Sequence, residues 1–310
     1  MTQHLARGVT SPEERRKELR ERVAAPGMMI VAGVTDSLTA RLAEEAGLQA
    51  VFATGAGIAN STFAVPDLGL VGLTEIAEVA GRMVRATNVP VIADGDSGHG
   101  NHLNVVRTVQ EFEWRGVSAV ILEDQRTPKR CGHFLGKQIV DVAEMEQKIA
   151  VATAARFDDN LLIIARTDAI AVEGFEQALE RANRYVAVGA DMVFVEAPET
   201  VEQLEQIPKR VQAPCLVNVV EGGRTPVLLP SELAGLGFKI GLYANVALRV
   251  AALAVRAAFA HLAGDPQAAG AEPEMLTWED RQTLVGLDRW LAWDSFVEDK
   301  TQRVRPAPEG

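Results

Sequence analysis

Short apolar runs rich in β-branched residues recur eight times along the chain, at residues 28–34, 50–54, 89–94, 119–123, 161–167, 192–196, 215–219 and 239–243. Most are near-continuous rather than alternating, the pattern of strands buried on both faces of a parallel sheet. Between them apolar residues fall at helical spacing, as in Leu38, Leu42 and Ala46, or Phe175, Leu179 and Ala182. Gly47, Gly116, Gly189 and Gly237 stand where a helix gives way to the next strand, a cap position that favours positive φ. Strand, helix, glycine and strand, repeated eight times, predict an α/β protein with a (β/α)8 barrel of TIM type. A doubly wound open sheet is the competing arrangement.

A helix precedes the first strand: Ser11-Pro12-Glu13-Glu14 supplies an N-cap, a proline in the first turn and a capping-box glutamate. Beyond the eighth helix, residues 263–274 are rich in Gly and Pro, and one more helix is predicted from near Thr277, carrying Leu284, Leu287, Trp290, Leu291 and Trp293. Its apolar surface packs either on its own barrel or on a neighbouring subunit, because large apolar patches are rarely left exposed. The expected organisation is a catalytic barrel with its N-terminal helix over residues 1–262, and an oligomer-packing linker, helix and tail over 263–310.

Length and composition narrow the class. A chain of 310 residues suits one barrel domain, and 47% hydrophobic with only 5% aromatic residues suits a core of Val, Ile, Leu and Ala. The net charge of -11, and a single basic run (Arg15-Arg16-Lys17) interleaved with glutamates, argue against nucleic acid as a partner. The start of the chain lacks a basic-then-apolar signal, no apolar run approaches the roughly 18–20 residues of a membrane span, and two cysteines make no disulfide framework. A soluble cytoplasmic protein is expected.

Catalytic groups of such barrels sit where the strands end, and these ends are polar: Thr54-Gly55-Ala56, Asp94-Gly95-Asp96-Ser97-Gly98-His99, Glu123-Asp124, Arg166-Thr167-Asp168, Glu196 and Asn218. Any one such carboxylate is ordinarily a helix cap or a surface ion pair; as a set at one rim they read as a site. Asp94, Asp96 and Glu123 form an all-oxygen cluster that suits Mg2+, or Mn2+, and not structural zinc. Arg166 is a natural fork for a substrate carboxylate. In the long loop after the fourth strand, Cys131 stands beside Lys129, Arg130 and His133, neighbours that depress its pKa and make a reactive thiol, able to act as a proton donor or a nucleophile. Cys215, at the head of a buried strand, reads as a core residue.

Four segments carry a family resemblance: residues 94–101 (DGDSGHGN), 122–125 (LEDQ), 129–133 (KRCGH) and 166–169 (RTDA). Together they resemble the isocitrate lyase/phosphoenolpyruvate mutase superfamily, and the Lys-Arg-Cys-Gly-His stretch is similar to its lyase branch, which includes 2-methylisocitrate lyases, 2,3-dimethylmalate lyases and oxaloacetate hydrolases. The resemblance implies Mg2+ at Asp94, with Asp96 and Glu123 holding it through water. It implies that Thr54, Gly55 and Ala56 contact the substrate carboxylate together with Arg166, that Asp67 lies near the reacting centre, and that Glu196 and Asn218 line the pocket. Cys131 would be the general acid, with Lys129, Arg130 and His133 as its catalytic neighbours. A homotetramer, a dimer of dimers that swap their eighth helix, is likewise implied.

The sequence also departs from that branch. Phe52 stands where the lyases often carry a tyrosine considered as base, and neither Tyr185 nor Tyr243 lies in a catalytic loop, so the base stays open. His99 either takes a proton or caps the metal shell. The stretch after Asn218 looks more like that of dimethylmalate lyases and oxaloacetate hydrolases than like the Thr-Glu-Phe-Gly of methylisocitrate lyases. The function expected is Mg2+-dependent cleavage of a C–C bond in a small 2-hydroxy, or hydrated 2-oxo, dicarboxylate. A phosphonopyruvate-type mutase or hydrolase, and an inactive dicarboxylate-binding barrel, are the alternatives.

Overall fold

A computed structural model describes residues 10–129, 136–264 and 274–304. Thr10–Ala252 form one compact unit, and the chain from Leu253 onward belongs to a second. In the first unit lie eight strands: β1 (Met29–Val34), β2 (Val51–Ala53), β3 (Val91–Asp94), β4 (Ala119–Glu123), β5 (Leu162–Thr167), β6 (Met192–Val195), β7 (Cys215–Asn218) and β8 (Ile240–Tyr243). They pair in parallel in chain order, and β8 closes on β1 with Ile240 opposite Met29. The barrel is closed, which excludes the open sheet.

The expected strands are all present, each within two residues of its expected limits. Thr54 and Glu196 lie just past their strands, and Val89-Pro90 stays outside β3, since proline has no N–H for the ladder. The helices are α1 (Pro12–Ala24), α2 (Ser37–Glu45), α3 (Gly55–Phe63), α4 (Leu73–Ala86), α5 (His102–Trp114), α6 (Val142–Ala155), α7 (Ile170–Glu173), α8 (Phe175–Ala187), α9 (Val201–Arg210), α10 (Pro230–Leu236), α11 (Val246–Leu262), α12 (Trp278–Leu284) and α13 (Leu287–Val304). Ser11 closes the expected capping box with Glu14 at the start of α1. The four cap glycines all have positive φ, between 84° and 112°. The single helix expected near Thr277 is two: Thr277 caps α12, but Gly286, at φ 75°, breaks the run before α13. Among the described residues no helix is long and apolar enough to cross a membrane.

Alternation along the strands decides what faces the barrel axis. Ala119 and Ile121 of β4, Leu162 and Ile164 of β5, and Met192 and Phe194 of β6 share one buried cluster with Phe52, Ile92, Leu216 and Leu242. Leu19 and Val23 of α1 join that cluster, so this helix stops the end of the barrel at which the strands begin. The intervening Val120, Leu122, Ile163 and Ala165 pack outward in a cluster with helix residues such as Val105 and Ile149. Continuing the inward parity by one more step reaches Thr54, Asp94, Glu123, Arg166, Glu196 and Asn218. A one-residue slip in any strand would turn its polar group out of the barrel, so the apolar core fixes the register of the site. Gly33 shows how tightly the rim is packed: a Cβ there would lie 2.0 Å from the Ala244 carbonyl oxygen.

Candidate active site

A cavity opens over this rim. Thr54, Ala56, Asp67, Asp94, Glu123, Lys129, Arg166, Glu196 and Asn218 line it above an apolar floor of Phe52, Ile121, Phe194 and Leu242. Of the fifteen expected site residues, twelve line this cavity or a neighbouring one; Arg130, Cys131 and His133 lie outside the described residues.

Thr54 is the N-cap of α3, a helix not anticipated from the Gly-Ala-Gly sequence, and its side chain accepts from the Gly57 N–H at 3.3 Å. That places first-turn donors at the cavity, where a helix N-terminus favours anions. The Gly55 N–H donates to Asp94 Oδ2 (3.2 Å), and the Asp96 N–H donates to Asp94 Oδ1 (3.2 Å). A side chain at Gly55 would sit 2.8 Å from that same Asp94 oxygen, so glycine is what lets the helix approach the carboxylate. Asp96 itself adopts φ 47°, a left-handed conformation uncommon outside glycine and asparagine.

The two cations of the cavity are both paired with carboxylates. Lys129 Nζ is buried against Asp67 and, at 2.8 Å, against Asp96. The sequence sets Lys129 beside Cys131, which lies outside the described residues; within them Lys129 docks among acidic groups. Burial opposes its charge, but Asp96, Asp94, Glu123 and Asp67 together hold its pKa above the usual lysine range. Burial, with Asp94 adding to it, pushes Asp96 up to about 7 against the pull of Lys129. Arg166 donates from Nε and Nη2 to Asp168 (2.9 and 3.1 Å), lies 3.1 Å from Glu196 and 3.5 Å from Glu123, and stacks 5.1 Å from the Phe194 ring centroid. Burial raises the pKa of Glu123 well above that of an ordinary glutamate, with Arg166 opposing.

Not every expected residue reaches this cavity. His99, at φ 59°, turns aside to line a separate cavity with Ser97, Asn104 and Arg107, and its Nδ1 lies 3.2 Å from Thr108 Oγ1. Burial pushes its pKa down to about 4. Asp96 borders that second cavity and not the first. Cys215 is buried in β7, and burial pushes its thiol up to about 12. Sequence reasoning named Asp124 and Asp168 among the polar strand ends without giving either a role, and did not single out Lys137. Asp168 carried a signal, since it shares the inward parity of Arg166; Lys137, which reaches it at 2.7 Å, carried none.

The residues present fit a divalent cation. Four carboxylates line the cavity against two cations already shared with Asp96 and Asp168, which leaves an excess of negative charge. Glu123 Oε1 and Asn218 Oδ1 are buried without a hydrogen-bond partner among the described residues. No three His, Cys, Asp or Glu side chains among those residues converge as direct ligands, so a closed protein cage is not formed. A hard cation with one carboxylate ligand and retained water matches this donor set.

The phosphoenolpyruvate phosphomutase family model matches residues 19–263. The chain belongs to this family. Its relatives include 2,3-dimethylmalate lyase of Eubacterium barkeri, 40% identical over 88% of this chain and 94% of that protein. Another is 2-methylisocitrate lyase of Shewanella oneidensis, 39% identical over 92% and 95%. Among solved structures, oxaloacetate acetylhydrolase with 3,3-difluorooxalacetate has a TM-score of 0.88 at 31% identity, covering 93% of this chain and 98% of the other. Phosphonopyruvate hydrolase with oxalate and Mg2+ has a TM-score of 0.81 at 29% identity, covering 91% and 98%. The family thus includes carbon–carbon lyases and hydrolases, and this chain is an enzyme of the carbon–carbon lyase kind.

Proposed function

We propose that the chain cleaves the C2–C3 bond of a small 2-hydroxy dicarboxylate, or of a hydrated 2-oxo dicarboxylate, with Mg2+ as cofactor and Mn2+ as a substitute. The observation that carries this reading is the ring of inward side chains from separate strands, acid-rich and with Arg166 among them, over an apolar floor. Asp94 would hold the ion, with Asp96 and Glu123 acting through water. Bound there, Mg2+ supplies polarisation of the substrate's carboxylate and C2 oxygen.

Arg166 and the first turn of α3 at Thr54, Gly55 and Ala56 take a substrate carboxylate, and Asp67, Glu196 and Asn218 shape the pocket around it. Phe52 in the floor offers no proton acceptor, so the C2 hydroxyl proton passes to one of the cavity carboxylates. As the C2–O bond becomes a carbonyl, the C2–C3 bond breaks and its electron pair forms an enolate of the leaving acid. Cys131, flanked by Lys129, Arg130 and His133, returns a proton to that carbon. Fixed amide donors at α3 oppose charge that builds during bond cleavage. The floor of Phe52, Ile121, Phe194 and Leu242 reads the alkyl substituents, where one methylene is worth about 1–3 kcal/mol.

The protein is further proposed to assemble as a homotetramer. None of the α11 side chains is buried, and Leu253, Phe259 and Leu262 are each about two-thirds or more exposed, an apolar surface that a second copy would cover. The functional test is turnover of malate, citramalate, 2,3-dimethylmalate, 2-methylisocitrate and oxaloacetate with Mg2+. Cleavage of at least one supports the reading. Turnover confined to phosphonopyruvate-type compounds, followed by ³¹P NMR, replaces it with phosphonate chemistry, and tight oxalate binding without any turnover points to a binding protein.

A further inference from the structure

Behind the cavity wall lies a buried charge assembly to which the proposed chemistry gives no role. Asp168, at the end of β5, is fully buried. Its Oδ2 accepts from Arg166 Nε at 2.9 Å, and its Oδ1 accepts both from Arg166 Nη2 at 3.1 Å and from Lys137 Nζ at 2.7 Å. Its backbone N–H donates to Asp124 Oδ1 (2.9 Å), while Asp124 Oδ2 accepts from Thr167 Oγ1 (2.7 Å) and from the Tyr185 hydroxyl (2.9 Å). Asp168 is therefore held from three directions, by the segment leading into α6, by the end of β4 and, through Asp124, by α8. A carboxylate fixed this well can fix what it binds.

Arg166 needs such fixing, because it is contested. The two nitrogens forked by Asp168 also face carboxylates that line the cavity, Nη2 toward Glu196 at 3.1 Å and Nε toward Glu123 at 3.5 Å. With only those partners, the guanidinium would turn toward the cavity acids and spend its donors on them. The fork of Asp168 anchors the edge formed by Nε and Nη2 and leaves Nη1 as the arm for a ligand. A planar fork–carboxylate pair sets orientation as well as charge. Lys137 supplies the counter-charge that keeps Asp168 ionised in a buried site without drawing Arg166 wholly out of the cavity.

We propose that Asp168 is the positioning residue of Arg166, with Lys137 as its obligatory counter-ion, and that this pair sets affinity for the substrate carboxylate. The inference rests on the reading of Arg166 as the fork for that carboxylate. It accounts for a buried lysine and aspartate that neither line the cavity nor contribute to the apolar core.

The test compares wild type with Asp168→Asn/Lys137→Met, which removes both charges together and leaves no orphaned ion, and with Arg166→Lys. Three quantities are read with Mg2+ present: the calorimetric Kd for oxalate, KM and kcat for the dicarboxylate turned over, and the melting temperature. The double variant is expected to weaken oxalate and raise KM by roughly 10- to 100-fold, as a misplaced binding group does, with a smaller change in kcat. Oxalate affinity and KM within twofold of wild type in a folded double variant, while Arg166→Lys is impaired, overturns the positioning role. An Arg166→Lys enzyme that binds oxalate normally instead removes the fork reading on which the proposal stands. Where the double variant does not fold, Lys137→Met and Lys137→Arg carry the test: oxalate weakens in the first and recovers in the second if Lys137 acts through charge, and equal affinity in both refutes it.

Discussion

Gly55→Ala probes the contact on which the proposed metal site depends. The new Cβ would lie 2.8 Å from Asp94 Oδ2 and 3.2 Å from its carboxyl carbon, where ordinary contacts begin at 3.4 Å. The carboxylate therefore has to give by roughly half an ångström, and it is held where it stands by the N–H groups of Gly55 and Asp96 at 3.2 Å each. A displacement of about 1 Å at a reacting centre can cost on the order of 100-fold, so half that distance is expected to cost about tenfold. Stability moves the other way or not at all, because alanine is favoured over glycine in a helix by up to about 1 kcal/mol. The assay is turnover as a function of Mg2+ concentration, with a thermal melt alongside. The expected result is an apparent Mg2+ constant raised about tenfold with an unchanged or higher melting temperature. Wild-type Mg2+ dependence in a folded Gly55→Ala enzyme refutes the placement of the ion at Asp94.

Other consequences are equally direct. Gly33→Ala drives a Cβ to 2.0 Å from the Ala244 carbonyl oxygen, a clash with backbone that cannot rotate away; overpacking of this kind costs about 1–3 kcal/mol or more, and calorimetry should show a melting temperature lowered by several degrees. Cys215, buried with its thiol pushed up to about 12, should escape iodoacetamide at pH 8 in the native enzyme and react only after unfolding, as peptide mapping by mass spectrometry would show. Burial works to raise the pKa of Asp168, but Arg166 and Lys137 outweigh it and hold the carboxyl below its ordinary value of 3.8. Its contribution to stability is thus complete above about pH 4 and lost as the pH falls through the lower folded value. Acid unfolding of Asp168→Asn/Lys137→Met should accordingly depend less on pH below 4 than that of wild type, and an identical dependence would contradict this.

Much of the fold was readable because the signal is periodic. Apolar runs marked all eight strands, and the same alternation that puts Ile121, Ile164 and Phe194 inward carries Glu123, Arg166 and Glu196 to the rim. What escaped prediction is local geometry overridden by packing. Gly55-Ala56-Gly57 reads as a turn, yet Thr54 caps it and Ile58 and Ala59 bury against the barrel, so it starts a helix. The helix predicted from near Thr277 runs through Gly286, whose positive φ ends it. His99 shares a loop with Asp94 and Asp96, but left-handed conformations at Asp96, Gly98 and His99 itself aim the ring at Thr108 and away from the cavity. The ion pairs of Lys129 and Lys137 escaped for another reason. Long flexible side chains reach partners distant in sequence, Asp67 and Asp168, and no local pattern records the reach.

Oxalate titrated calorimetrically into the enzyme, once with Mg2+ and once after chelation with EDTA, tests the central claim most directly. Saturable binding that needs Mg2+, and that Asp94→Asn abolishes, is the expected result. Equal affinity with and without the ion, or full binding in the Asp94→Asn variant, would show that these strand ends do not assemble one cation-dependent site for a small dicarboxylate.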